Sequence, residues 1–277
     1  MPTNINFKKS LGFVKGSSII RSTPGVDPDA QAFITAAGIT NATEKGALDV
    51  LVKGLKTDLI WTKMLAVYPF VGGTATTCKY NLKNPADTNA AFRLFFSGGW
   101  TFSNNGIQPN GINTYANTFL IPLTHWGVNN GSVSAYSRLN NSESLSVIFG
   151  TKGPSFINAV YPVIDTTFSY VFLNGNTSTT LPVPPTTTAL NFIASRINPN
   201  ELILALNGAT APYVNAPIDV SPVSIYFSAR NNNGVDDLHS FRQLAFGHIG
   251  TGLTQAECTL LYNRIHTFQT TLGRANP

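Results

Sequence analysis

The chain has 277 residues, of which 43% are hydrophobic, 11% aromatic and only 11% charged. Soluble domains carry roughly 25% Asp, Glu, Lys and Arg, so Ser, Thr, Asn and Gly must supply the polar surface, which excludes a disordered chain and a coiled coil, both of which need many charges. The net charge of +5 is unevenly placed, because residues 1–26 hold Lys8, Lys9, Lys15 and Arg21 and no acid, leaving the rest close to neutral.

That opening stretch lacks a run of Lys and Arg and mixes in Phe7, Leu11, Phe13, Val14, Ile19 and Ile20. It reads as a partly apolar docking arm over 1–26, with Lys8, Lys9, Phe13, Lys15 and Arg21 meeting another protein; no nucleic-acid partner is expected. It has neither the apolar core nor the cleavage site of a signal peptide. No stretch approaches 18 apolar residues, so no membrane partner is expected.

A helical lead segment follows over 27–73. Asp27-Pro28 supplies an N-cap and a proline at the first helical position, and Gly38 a stop, predicting a helix over 28–37. Asn41 with Glu44 is a capping pattern before Ala47, Leu48, Leu51, Val52 and Leu55 at helical spacing. Asp58 is placed to cap a third helix through Trp61, Met64, Leu65 and Tyr68, ended by Pro69 and Gly72-Gly73. Trp61 reads as core.

From 74 to about 250 short runs rich in Phe, Tyr, Val, Ile and Thr alternate with turn clusters, the texture of strands and hairpins. The runs are 92–96, 115–121, 133–139, 144–149, 168–173, 190–197, 201–206, 223–229 and 240–249. Six Asn-Gly pairs punctuate them, at 105–106, 110–111, 130–131, 174–175, 207–208 and 233–234, and Asn-Gly is the dipeptide that most readily forms a type I′ hairpin turn. Pro182, Pro184 and Pro185 mark an edge or loop. The tail is helical again over 255–272: Thr254-Gln-Ala-Glu257 is a capping box, Cys258, Leu261, Tyr262, Ile265, Phe268 and Leu272 form the apolar stripe, and Gln269 falls on the polar face. The fold class is therefore mainly β: an antiparallel β-sandwich over 74–277, of the jelly-roll kind, with N-terminal helices and a C-terminal helix packed on it.

Catalytic patterns are scarce. Cys78 and Cys258 read as small buried hydrophobes, and His125, His239, His248 and His266 fall at no metal-ligand spacing, His266 reading as a half-buried packing residue. A glycosidase needs two carboxylates across the scissile bond, whereas Glu143, Glu201 and Glu257 are isolated and Glu257 is a helix cap. No catalytic or cofactor residues are assigned, and the protein is expected not to be an enzyme. Asp236-Asp237, beside Asn231, Asn232 and Asn233, is the one place where oxygens gather as Ca²⁺ would require; a polar turn is the simpler reading of a structural Ca²⁺ site there. Trp100 and Trp126 flank Gly- and Asn-rich turns, where binding residues concentrate, and are the candidate glycan contacts.

The stretch 191–262, containing NFIASRINPNELILALNG, VSIYFSARNNNGVDD and FRQLAFGHIGTGLTQAECTLLY, resembles laminin-G/concanavalin A-like sandwiches in the order of its strands, its turn and its closing helix. Over most of the chain, AFITAAGIT, IWTKMLAVYPFVGG, KYNLKNPADTNAAFRLFFSGGWTFSNNGIQPNG and FQTTLGR look like virion proteins (fibre, tail or capsid-surface) of tailed phages infecting Bacteroidetes-type bacteria. The likeness implies a virion structural protein made in the host bacterial cytoplasm. It would be anchored by its N-terminal arm to other virion proteins and to copies of itself, a trimer being favoured, with adhesion to bacterial surface glycans as a second task. The alternative is a free-standing carbohydrate-binding lectin; a glycan-cleaving enzyme is disfavoured by the carboxylate pattern.

Overall fold

The computed structural model describes residues 25–275 except 139–142, 144–145, 154–156, 162–167, 176 and 183–188. The docking-arm residues Lys8, Lys9, Phe13, Lys15 and Arg21 lie outside the described residues. In chain order the elements are α1 (Pro28–Ala37), α2 (Ala42–Thr57), β1 (Met64–Tyr68), α3 (Ala75–Cys78), β2 (Phe95–Ser97), β3 (Thr101–Ser103), β4 (Gly106–Gln108), β5 (Tyr115–Asn117), α4 (Pro122–His125), β6 (Gly131–Ser137), β7 (Phe149–Lys152), β8 (Ile157–Tyr161), β9 (Phe168–Gly175), β10 (Thr179–Pro182), β11 (Leu190–Asn198), β12 (Glu201–Leu206), β13 (Ala209–Val214), β14 (Tyr226–Phe227), β15 (Arg230–Asn232), β16 (Val235–Asp237), β17 (Leu244–Gly250) and α5 (Gln255–Thr271).

Among the described residues the strands form two sheets. The first has eight strands in the order β13-β12-β11-β6-β17-β4-β3, with β1 also paired to β17; the second has nine, β10-β9-β8-β7-β14-β5-β2, with β15 joined to β7 and β16. The pairing is antiparallel apart from the parallel contact of β15 with β7. Asn207-Gly208 closes the β12–β13 hairpin and Asn233-Gly234 the β15–β16 hairpin, and in each pair both residues have positive φ (48° and 86°, 52° and 98°), as a type I′ turn requires. The other four Asn-Gly pairs open a strand, close one or sit in a loop.

Two apolar layers result. Between the sheets pack Tyr68, Val133, Phe192, Leu204 and Ile249 from the first against Phe149, Val171 and Phe227 from the second. On the other side of the first sheet, Tyr136, Ile193, Ile203 and Phe246 meet Phe33, Leu48, Leu55, Leu261, Ile265 and Phe268 of the helices. The arrangement is the expected antiparallel sandwich with helices laid on it, and the helices cover one sheet only.

Local signals explain the helices. Asp27 accepts from the Asp29 amide and Gly38 closes α1 at φ 66°; Asn41 accepts from the amides of Thr43 and Glu44. Thr254 and Glu257 complete the capping box of α5, and Glu257 also pairs with Lys63 at 2.6 Å. Arg264 grips Asp58 through two bonds of 2.7 and 2.8 Å, tying α5 to the end of α2. Gln269 departs from its expected polar face: it is buried and donates to the Ala245 carbonyl at 3.1 Å. His266 is exposed rather than half-buried, its ring stacked on Tyr262. Cys78 and Cys258 are buried free thiols, pushed by burial up to about 11 and about 12.

The third helix, expected from Asp58 through Tyr68, is absent. Asp58 is the C-cap of α2, and after one 3-10 turn at Trp61–Lys63 the chain enters β1. Ala66 and Tyr68 point into the inter-sheet core while Met64 and Val67 meet the helices. A strand buried on both faces is apolar throughout, and its spacing cannot be told from that of a short buried helix. Trp61 is buried as expected.

Two measurements test this layering. Leu261→Ala removes a fully buried side chain between α5 and the first sheet and should cost about 2–5 kcal/mol in urea unfolding, whereas its neighbour Leu260→Ala, 36% exposed, should cost less than about 1 kcal/mol. His248 is fully buried on β17 with its ring nitrogens against Ser134 and Ser132, and burial pushes its imidazole down to about 3. The folded state then binds fewer protons than the unfolded chain, so the stability tied to this residue is whole above pH ~6.5 and falls as pH drops toward 3, by up to about 1.4 kcal/mol per unit. His248→Asn should flatten that part of the profile relative to the parent; parallel slopes between pH 7 and 4 would refute the assignment.

Candidate functional site

With the helices on the outer face of the first sheet, the outer face of the second carries no helix of that layer; Val147 and Leu238 pack over Tyr170 and Phe172 on part of it, and the strands toward β2 are the more open part. Strand alternation decides what it displays. Phe96, Ala116 and Phe227 pack on the core side, so Phe95, Asn117 and Tyr226 face outward, and the register sets them in one row across β2, β5 and β14: Phe95 opposite Asn117, Asn117 opposite Tyr226. Neighbouring strands lie about 4.8 Å apart, which spreads the row over roughly 10 Å. Phe95 is 52% exposed. Tyr115 stacks on Tyr226 with ring centroids 4.5 Å apart and planes 11° from parallel. Tyr226 is buried beneath it and Tyr115 half-buried. Burial, then the neighbouring Tyr115 and Asp236, raises the Tyr226 phenol above its ordinary range.

The β15–β16 hairpin and the loop after it border this row. Asp237 accepts from Arg230 Nε at 2.8 Å, Arg230 Nη2 at 2.6 Å and Asn232 Nδ2 at 3.0 Å. Asp236 lies 3.2 Å from His239 Nε2, whose Nδ1 is 3.0 Å from the Thr114 carbonyl. The two carboxylates proposed for a structural Ca²⁺ are therefore engaged separately, and Asn231 is held by Ser224 and Gly234. Among the described residues no group of three or more His, Cys, Asp or Glu side chains is placed to hold a metal. Behind the loop, buried Glu143 accepts from Ser146, Ser240 and the Phe241 amide, which ties the segment before β7 to the loop after β16.

The two tryptophans singled out as glycan contacts are placed differently from each other and apart from this row. Trp126 is 5% exposed and packed in the inter-sheet core, where a Cβ on Gly131 would come within 2.8 Å of its ring. It presents no ring face to a ligand, and its part in glycan binding is corrected on that ground. Trp100 is half-buried at the rim, edge-on to Phe96 at 5.2 Å, with its indole N–H donated to the Ser97 carbonyl at 2.8 Å. The residues missed from sequence are Phe95, Tyr115 and Tyr226. One signal was available: adjacent phenylalanines in a strand send one ring to each face, and Phe95-Phe96 is such a pair.

No protein-family model matches the chain, and no curated protein does. Among solved structures it is similar to domain 4 of AbnA, a GH43 extracellular arabinanase from Geobacillus stearothermophilus, in complex with arabinotriose (16% identity, 72% of this chain and 98% of that one, TM-score 0.46). It is similar to botulinum neurotoxin type C, whose cell entry depends on two ganglioside molecules (10% identity, 76% and 53%, TM-score 0.49), so that the match spans about half of that chain. It is also similar to the CBM40 of Ruminococcus gnavus IT-sialidase bound to α2,6-sialyllactose (11% identity, 49% and 84%, TM-score 0.39).

The placement of the tryptophans carries its own test. Trp126→Ala should cost about 3–5 kcal/mol in chemical denaturation, as expected for a large core side chain. Trp100→Ala should cost less than half of that, and the reverse order would show that the burial has been misassigned.

Proposed function

We propose that the protein is a non-catalytic, glycan-binding β-sandwich displayed on a phage virion, held there by its N-terminal arm and by contacts with copies of itself. The observation that supports glycan binding is the rigid outward row of Phe95, Asn117 and Tyr115 stacked on Tyr226, set on the sheet face that the helices leave open. Pyranose rings present C–H faces that pack on aromatic rings, and their hydroxyls need amide and carboxylate partners of the kind Asn117 and Asp236 offer. Tyr115 is already held by its stack and loses little rotamer freedom when a ligand arrives, which lowers the cost of binding. The virion setting is supported by the resemblance of the motifs quoted above to those of phage virion proteins and by the basic, partly apolar arm at 1–26.

A second reading, in which the sandwich serves assembly alone, is favoured by the near-neutral charge of the body, which offers little long-range repulsion between identical neighbours. A glycan array together with a native mass separates the two. Binding to array sugars that falls about threefold to tenfold in Phe95→Ala and again in Tyr115→Ala, the range for loss of one aromatic contact, with melting temperatures held, supports the glycan-binding reading. A blank array at millimolar sugar overturns glycan binding, and a monomeric native mass overturns self-association.

A further inference from the structure

The aromatic row runs into a second feature at the edge of the sheet. Beyond β2 lies a shallow depression of about 240 Å³ lined by Thr76, Lys79, Arg93, Phe95 and Phe96 among others. Leu94 is buried in the core, so Arg93 and Phe95, on either side of it in an extended stretch, both turn outward. Phe95 thus belongs to the row and to the depression at once.

The depression is cationic. Asp87 is the carboxylate shared by two basic groups, Lys79 Nζ at 2.6 Å and Arg93 Nη1 at 2.9 Å. Arg93 Nε donates to Asn89 Oδ1 at 3.1 Å. One positive charge remains in excess. So do donors: Arg93 Nη2 makes no hydrogen bond to the described residues, and Lys79 Nζ makes one of the three it can form. The Lys79 side chain is 21% exposed and that of Arg93 31%, so both reach solvent while their stems are held.

We propose that the glycan taken by this face is an acidic one, whose sugar carboxylate sits on Arg93 and Lys79 while its ring packs on Phe95 and the chain continues toward Asn117 and Tyr115. The proposal rests on the glycan-binding reading above and names the class of sugar within it. A single excess charge matches a monoanion. Two donors from different side chains reach the two oxygens of one carboxylate, with the charge-assisted geometry that makes such bonds strong. The shallow, open shape suits a sugar at the end or middle of a chain lying along the sheet.

The test uses the full-length protein on an array of matched glycans: carboxylated, the same sugars as methyl esters, sulfated at the corresponding position, and neutral. Carboxylated members should bind about tenfold or more better than their esters. Arg93→Gln and Lys79→Gln should each remove about that factor for the acids and leave the esters unchanged, as loss of one charge-assisted hydrogen bond implies; Phe95→Ala should weaken both. Esters or neutral sugars binding as well as the acids would overturn the acidic assignment and leave glycan binding standing. Sulfated members equalling the carboxylated ones would overturn the carboxylate, and unchanged acid binding in Arg93→Gln would overturn the site. Silence across the whole array would overturn this proposal together with the reading beneath it.

Discussion

Everything in this fold follows from the burial of the first sheet on both faces. Helices cover one side and the second sheet the other, so β6 and β17 are buried at every residue and have no polar face to alternate with. The layers meet closely because small residues stand where they must. A Cβ on Gly247 would lie 2.6 Å from the Phe227 ring across the inter-sheet core, and one on Gly250 would lie 2.4 Å from the Lys63 carbonyl. The hydroxyls buried there are partnered: Ser132 donates to the Thr251 carbonyl at 2.6 Å and Ser195 to the Leu253 carbonyl at 2.7 Å. Both bonds tie the sheet to the segment that leads into α5.

A chain so poor in charge still places three arginines in its interior, Arg196, Arg242 and Arg274. Arg196, on β11 of the first sheet, donates to the Leu173 carbonyl on β9 of the second at 3.2 Å, and to Asn215 at 2.6 and 2.8 Å. Arg274, just past α5, donates to the carbonyls of Phe70, Pro69 and Ala245, and burial pushes it down to about 10. The guanidiniums of Arg196 and Arg274 bind backbone oxygens where chain segments cross, and that of Arg242 lies 3.8 Å from the buried Glu143 carboxylate. The planar fork reaches several acceptors at once, which no lysine could do. An unpartnered buried charge would cost several kcal/mol; here backbone carbonyls partner the terminal nitrogens of Arg196 and Arg274, while the Nε of each makes no hydrogen bond to the described residues. Low overall charge therefore does not mean weak polar cohesion, and the surface is poorer in charge than the composition alone implies.

How much of this was legible in the sequence depended on how local the cause was. Asp27-Pro28, Asn41 and Thr254–Glu257 act within one helical turn, so α1, α2 and α5 begin where their residues say. Asn207-Gly208 and Asn233-Gly234 likewise act within one turn, and both close hairpins. The segment 64–68 has the spacing of a helix yet folds as a strand because its state is set by partners far away, β17 on one flank and the helices above, and an apolar run carries no mark of which layer claims it. Gln269 falls on the polar face by spacing yet is buried for a similar reason: the Ala245 carbonyl, 24 residues earlier, makes its burial tolerable. The tryptophans sit beside turns, where binding residues concentrate. Whether a turn lies over the core or beside an open face is a property of sheet stacking, which no short window contains.

The same logic locates the candidate site. Strands β2, β5 and β14 are only two or three residues long, too short for a flat apolar surface, and they contribute Phe95, Tyr115 and Asn117, and Tyr226 to the outward face. Their inward neighbours, Phe96, Ala116 and Phe227, pack with the core and hold the row from behind, while the Tyr115–Tyr226 stack steadies it in front. A site built this way is stiff because its backs are buried, and it is reached through the exposed Phe95 and the half-buried Tyr115 and Asn117, with Tyr226 buried beneath Tyr115. On a densely charged surface, one excess cation beside Phe95 would be masked by its neighbours within a Debye length of about 8 Å. The body of this chain carries few ions to do the masking, so the field of Lys79 and Arg93 reaches solvent from the end of an aromatic track. Scarcity of charge, which in the composition only excluded disorder and coiled coils, is what lets a single unbalanced charge define a direction along the open sheet.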